Sequence, residues 1–307
     1  MFAALLLASQ AGLAADPAPA EAVTVTADRL SRSVMRAEAS KFLRDGIADT
    51  RGGQNARWFA PVCAITMGVD DKSGAVFTAR IADVARHVGL KLAAAGCEPN
   101  LAIVFTREAR ALVKQINRRQ SGALDALPAS ERGLVKNSDL PVRWWHFTAP
   151  EAYDGRQLAP GAPALGAAGA SAIGGDVTFN NNIRGSPIDL STRVGITGAV
   201  IIVDITRLAS ENVSALSDYI ALVGLGRLRM DPRQRPTGSI LAMFDKDAPR
   251  FDGMSDQDER FIEAMYSSKA AVEGWRQRAD MAGRMADAAV SPASPPPVQT
   301  QAAAPKR

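Results

Sequence analysis

Cysteine, histidine and aromatic residues are scarce in this 307-residue chain, which has two Cys, two His and only 6% Phe, Trp and Tyr. A zinc site takes several Cys, His or carboxylate ligands at close spacing, and neither His87 nor His146 has a second histidine one helical turn away. We therefore predict no bound metal and no cofactor. No apolar run reaches the roughly 20 residues that span a bilayer, so the chain is not expected to be an integral membrane protein.

A strong charge of one sign is also lacking. The 36 basic and 32 acidic side chains leave a net charge of +4, which is too small and too scattered to indicate nucleic-acid binding. With 22% charged and 47% hydrophobic residues, the composition is that of a globular domain with its own core. A chain of this length buries well over half of its unfolded surface, so it needs neither disulfides nor metals to fold.

The N-terminus has the composition of an export signal. Residues 2–15 read FAALLLASQAGLAA, an apolar stretch followed by small residues, and predict a signal peptide cleaved near Ala15. No basic residue precedes the stretch, so an ordinary N-terminal helix is the alternative. The prediction places the mature protein in the periplasm or outside the cell. Two cysteines in an exported chain normally pair, which predicts a disulfide between Cys63 and Cys97, with two buried thiols as the alternative.

Shifts in composition divide the chain into five parts. After the signal peptide at residues 1–15, residues 16–29 are rich in Ala, Pro and Glu and are predicted to be a linker. Residues 30–273 form the predicted globular domain, and residues 274–290 a terminal helix, solvated or weakly packed. Residues 291–307, rich in Pro and Ala, are predicted to be a disordered tail.

Apolar runs at residues 58–68, 100–105 and 194–205 are typical of core strands, and residues 141–148 predict a further strand. Segments with apolar residues at three- to four-residue spacing lie between and after the first two runs. This alternation of strands and helices favours parallel pairing with right-handed crossovers. The predicted fold class is α/β, at the border with α+β, with a mixed, mainly parallel sheet and packed helices.

Several short sequence patterns could belong to functional sites but also have structural explanations. Ser171 in GASAIGG is not a strand-to-helix nucleophile elbow, and Gly224 and Gly226 end a helix instead of opening a phosphate loop. Ser255 and Asp258 have capping-box spacing and predict a helix start. An arginine cluster either meets an anionic surface or is solvated; its members are Arg227, Arg229, Arg233 and Arg235.

The order of segments resembles the catalytic half of the metzincin-like zinc peptidases. Four stretches carry the resemblance: GAVIIVDI, SDYIALVGLGR, SIL at residues 239–241 and MSDQDERFIEAMY at residues 254–266. They follow the family's order of core strand, metal-binding helix, Met-containing turn and C-terminal helix, with Leu241 at the Met-turn position. The layout is also similar to that of uncharacterised exported proteobacterial proteins with a degenerate zincin-like plan. The likeness covers residues 33–268.

The resemblance implies a site without its metal. In the family motif H-E-x-x-H-x-x-G-x-x-H the glycine falls on Gly224, but the three ligand positions hold Ser217, Ala221 and Arg227, and the general-base position holds Asp218. Every histidine ligand is missing, so zinc hydrolysis by this route has no chemistry left. The resemblance implies that these five residues line the remains of a substrate cleft.

Three functions are compatible with these patterns. The first is an exported pseudoenzyme that binds an extended peptide at a sheet edge, or another cell-envelope partner. The second is a hydrolase or peptidase whose acid and base are Asp218 and another carboxylate, such as Asp204 or Glu211. In the third, the terminal helix and tail are the interacting parts, and the domain is a rigid holder.

Overall fold

The structure is a computed structural model that describes residues 20–48, 53–120, 123–125, 127–152, 190, 192–208 and 212–290. The predicted signal peptide and tail, together with Ser171 and Glu211, lie outside the described residues. None of the described helices is both long enough and apolar enough to cross a membrane.

Seven helices and five strands are found in the described part of the chain. The helices are α1 (Ala20–Gly46), α2 (Asp71–His87), α3 (Ala109–Arg119), α4 (Ala129–Asn137), α5 (Val213–Leu225), α6 (Asp256–Ser267) and α7 (Gly274–Val290). The strands are β1 (Arg57–Trp58), β2 (Ala64–Met67), β3 (Leu101–Thr106), β4 (Val142–Ala152) and β5 (Thr192–Asp204).

Strand β5 is the centre of the sheet. Along one edge it pairs antiparallel with β4 over almost its whole length, from Thr192 to Val203. Along the other edge it pairs parallel first with β1 and then with β3, and β2 adds to the far side of β3, again in parallel. This arrangement confirms the predicted α/β class and the mixed, mainly parallel sheet.

Helices cover the two faces of the sheet in pairs. Trp144 of β4 packs edge-to-face on Tyr219 of α5, with ring centroids 6.0 Å apart, and α5 in turn packs on α2. The next residue back, Arg143, points to the opposite face, where it donates to the carbonyl of Ser138 at the end of α4. Because α4 packs on α3, these two helices share that second face.

The predicted buried strand at residues 58–68 is two short strands in different positions. Pro61 has no N–H to continue a ladder, and the chain crosses here from the side of β5 to the far side of β3. Val62 pairs with the loop after α2, donating to the carbonyl of Lys91 at 2.9 Å. The predicted disulfide between Cys63 and Cys97 is confirmed and joins the same two segments. As a result β2 lies at the edge of the sheet.

Two helices differ from the description predicted for their segments, one in its boundary and one in its packing. Helix α1 begins at Ala20 and so includes most of the segment predicted as a linker. Helix α7 has the predicted bounds but is not weakly packed, because its inner face contributes to the core. The buried side chains of that face are Gln277, Met281, Ala282, Met285 and Ala286.

Candidate functional site

The five residues implied by the metzincin resemblance lie together on α5 and just beyond it, but all five are buried. Ser217, Asp218, Ala221 and Arg227 are at most 7% exposed, and Gly224 is buried as well. A Cβ atom on Gly224 would lie 3.1 Å from Leu101, so this part of α5 is pressed against the sheet. In this structure the five residues therefore pack inside the domain and do not line an open surface.

Both carboxylate oxygens of Asp218 accept hydrogen bonds from neighbouring residues. Oδ1 accepts from Nε of Arg80 on α2, and Oδ2 accepts from the backbone N–H of Met254 at 2.9 Å. Asp204 lies at the end of β5, where it accepts from Thr206 and pairs with Arg207. Within the described residues no contact joins Asp218 to a second carboxylate. The geometry thus gives Asp218 a role in joining helices.

Aromatic donors fill the C-terminal end of α5, where helix carbonyls lack intrahelical partners. Trp58 Nε1 donates to the carbonyl of Gly224 at 2.9 Å, and the Tyr266 hydroxyl donates to that of Leu225 at 2.6 Å. Just beyond the helix, Trp144 Nε1 donates to the carbonyl of Leu228 at 3.1 Å. Backbone oxygens that could otherwise face a ligand are used within the core.

His146 lies beside this helix end and is 4% exposed. Burial is the main cause that lowers the pKa of His146 to about 3, and the nearby Arg227 cation lowers it further. Hydrogen bonding with the carbonyls of Gly224 and Val223 acts in the opposite direction but is weaker. The imidazole is therefore neutral near pH 7. No pattern in the sequence indicates this contact, because β4 and α5 are far apart in the chain and meet only through the fold.

Asp258 connects two local structures. Its Oδ1 accepts from Ser239 Oγ at 2.6 Å, and its Oδ2 accepts from Ile240 N at 2.8 Å and from Ser255 N and Oγ. The predicted capping box of α6 is therefore present, and the same carboxylate holds the 3-10 turn at Ile240–Ala242. Burial raises the pKa of Asp258 more than these hydrogen bonds lower it.

We expect Asp258→Ala to lower the free energy of unfolding by about 3–5 kcal/mol, because it leaves buried donors of Ser239, Ile240 and Ser255 unpaired. Asp258→Asn is the matched control. Its amide oxygen can replace Oδ2 while its NH2 faces Ser239 Oγ, so its cost is expected to be about 1–2 kcal/mol. Urea unfolding of the three proteins measures both values. Equal losses in the two variants would show that the carboxylate does not act through these hydrogen bonds.

Of the four arginines in the cluster only Arg233 is exposed, with 85% of its side chain accessible. Arg229 donates to the carbonyl of Ile47 at 2.7 Å, and Arg233 pairs with Asp231 at 2.9 Å. Arg235 pairs with Asp245, and its side chain is only 5% exposed. These contacts favour a structural role over docking to an anionic surface.

The two histidines have different surroundings, since His146 is buried and His87 is exposed. His87 is exposed at the end of α2, where its Nε2 lies 2.6 Å from a carboxylate oxygen of Glu263. Among the residues that the structure describes, no group of three or more His, Cys, Asp or Glu side chains is placed to hold a metal ion.

The outer edge of β2 is the open part of the sheet. The N–H of Cys63 donates to Asn100 Oδ1 at 2.8 Å, and its carbonyl accepts from Asn100 and Leu101, so its backbone groups point inwards to β3. Because backbone direction alternates along a strand, those of Ala64 and Thr66 point outwards. No hydrogen bond of the described residues uses them.

Two exposed apolar side chains lie on β2 beside these outward backbone groups. Ile65 is 37% exposed and Met67 is 42% exposed, and both project from the face opposite Thr66, which packs on Gly74 of α2. Helices α3 and α4 do not cover this end of their face. An edge with free backbone groups and exposed apolar side chains is a template for another strand.

No protein-family model, curated protein or solved structure matches the chain. The resemblance to metzincin-like peptidases therefore rests on the sequence patterns alone.

Proposed function

We propose that this chain is an exported, non-catalytic binding protein that holds an extended polypeptide segment against the outer edge of β2. The observation that supports it is the combination of outward backbone groups at Ala64 and Thr66 with exposed Ile65 and Met67. Main-chain hydrogen bonds would supply affinity, and the apolar side chains would supply selection. Export is supported by the predicted signal peptide and by the disulfide, which is typical of oxidising compartments.

The exposed side chains indicate what kind of segment fits. Ile65 and Met67 are two residues apart, so they favour a segment with apolar side chains at alternate positions. Val104 of β3, which pairs in register with Met67, is only partly buried and extends the apolar surface behind the edge. The segment must also lack Pro where it bonds to β2, since Pro cannot donate.

Contacts within the domain hold both ends of β2 in place. The disulfide and the side chain of Asn100, which donates to the Pro61 carbonyl at 2.9 Å, fix the start of β2. At its end, Gly68 has φ of +82°, and a Cβ there would lie 2.0 Å from the Phe105 carbonyl oxygen. A pre-ordered edge lowers the entropic cost of adding a strand.

The alternative of a carboxylate hydrolase has less support. Asp218 is used by Arg80 and Met254, and the only described histidine near α5's end is buried and neutral. A general acid or base must reach the proton that it transfers.

The test uses a fluorescein-labelled peptide of ten residues with alternating Val and Thr, and measures its anisotropy against the wild-type chain. Changing Ile65 and Met67 together to Lys is expected to weaken binding at least about tenfold, through lost apolar contact and added charge. Ala64→Pro removes an outward donor and is expected to weaken binding similarly. Val213→Lys is the control, because Val213 is 54% exposed on α5, away from β2.

Two outcomes would overturn the proposal. One is equal binding to the wild type, the double Lys variant and the control. The other is a wild-type dimer in sedimentation that Met67→Lys dissociates, which would mean that a second copy occupies the edge.

A further inference from the structure

The neighbouring strands β3 and β5 are parallel, but the helices that follow them leave to opposite faces of the sheet. After β3 the chain enters α3 on the face of α4, and after β5 it enters α5 on the face of α2. In open α/β sheets the place outside the carboxyl ends of two such strands is where ligands bind, and we call it here the switch-point crevice, between the ends of β3 and β5. This switch-point crevice lies at the opposite end of the sheet strands from the disulfide.

Three guanidinium groups converge on the switch-point crevice. Arg110 lies in the first turn of α3, Arg143 at the start of β4 and Arg207 just after β5. Nη2 of Arg110 lies 3.1 Å from Oδ1 of Asp139, and Nη2 of Arg207 lies 2.7 Å from the same oxygen. One carboxylate oxygen is thus shared by two cations.

Arg143 is the least satisfied of the three. The residue is 0% exposed, and its Nη2 donates to the carbonyl of Ser138, while Nε and Nη1 have no hydrogen-bond partner in the described part of the chain. Its guanidinium group interacts electrostatically with two cations and two carboxylates, namely Arg110, Arg207, Asp139 and Asp204. A buried cation with unpaired donors costs free energy unless a negative group compensates it.

The N-terminus of α3 lies at the same end of the sheet. Its N-cap residue Glu108 makes no side-chain hydrogen bond to the helix, and the first turn of this 11-residue helix has no acidic residue. The first N–H groups of the helix therefore keep their capacity to donate, and the helix dipole favours an anion.

We propose that the switch-point crevice binds a phosphate group, with Arg110 and Arg207 as its direct donors and Arg143 behind them as a fixed cation. Arginine forks suit the oxygens of phosphate. Asp139, whose side chain is 64% exposed, occupies the donors in the absence of phosphate and acts as an internal competitor. This site does not depend on the proposed peptide-binding edge.

Titration calorimetry with inorganic phosphate at low ionic strength tests the proposal. Saturable binding is expected for the wild type, and Asp139→Asn is expected to tighten it several-fold because the competitor loses its charge. Arg207→Gln and Arg110→Gln are each expected to weaken it about tenfold or more. Arg118→Gln, at the exposed last turn of α3, is the matched control and should bind as the wild type does.

A parallel titration with glycerol 3-phosphate separates the sources of the phosphate group. Tighter binding than inorganic phosphate would assign the site to phosphate esters, and equal or weaker binding would assign it to the free ion. Absence of saturable phosphate binding by the wild type would overturn the proposal. Equal affinities of the Arg207, Arg110 and Arg118 variants would do the same.

Discussion

Removal of residues 274–307 is expected to unfold the domain, although the sequence alone marks this segment as peripheral. Met281 and Met285 are at most 2% exposed, and each fully buried Met contributes about 1.5–3 kcal/mol. Loss of α7 would also uncover α1 and α6, and would leave the backbone N–H of Asn55 without Gln277, its acceptor at 2.7 Å. The sum is comparable with the whole net stability of a typical domain.

Thermal unfolding followed by circular dichroism measures this effect. The control is a chain that ends at Val290, which removes only residues 291–307 and is expected to unfold at the wild-type temperature. A chain ending at residue 273 with a cooperative transition within a few degrees of wild type would contradict the prediction.

The result bears on the hypothesis that the terminal helix is a binding arm. If α7 is part of the core, loss of a partner after truncation reports unfolding and not a lost contact. Trp275, which is 62% exposed at the start of α7, offers a cleaner probe. Trp275→Ala leaves the buried face unchanged, so it tests the outer face of the helix alone.

The helices that the sequence predicted well are those whose apolar stripes are strong. The three- to four-residue spacing of Ala39, Phe42 and Leu43 predicts one apolar stripe on α1, and all three residues are buried. Its partner α7 is predicted to be solvated or weakly packed because terminal helices commonly are, yet its inner face is buried. What decided the packing was a complementary surface on another helix, and that information is not local.

The candidate site divides in the same way. The metzincin resemblance implies that Ser217, Asp218 and Ala221 share a helix, and all three lie on α5. That Trp58, His146 and Tyr266 surround the end of that helix depends on three other elements, and no spacing could show it. The edge position of β2 likewise depends on where the chain crosses at Pro61.

Lowering the pH is expected to reduce the free energy of unfolding, because His146 becomes protonated in the unfolded chain but not in the folded protein. Its pKa falls from 6.5 in the unfolded chain to about 3 in the folded protein, so the unfolded state binds more protons between these values. The stability due to the neutral imidazole is fully present above pH 6.5 and is lost as pH falls towards 3. The total is about 5 kcal/mol, at about 1.4 kcal/mol for each pKa unit.

Urea unfolding at pH 7, 6 and 5 measures the slope, and comparison with a His146 variant isolates the part that this imidazole contributes. The wild type is expected to lose about 2 kcal/mol by pH 5, and His146→Gln is expected to lose much less, because Gln does not titrate. His87→Gln is the matched control, since His87 is the chain's other histidine and is exposed. If the His146 variant kept the wild-type slope while the His87 variant lost it, the imidazole beside α5 would not be the group that acid attacks. If the His146 variant kept the wild-type pH dependence of stability, a lowered pKa of His146 could no longer be used as an argument against proton transfer at this end of α5.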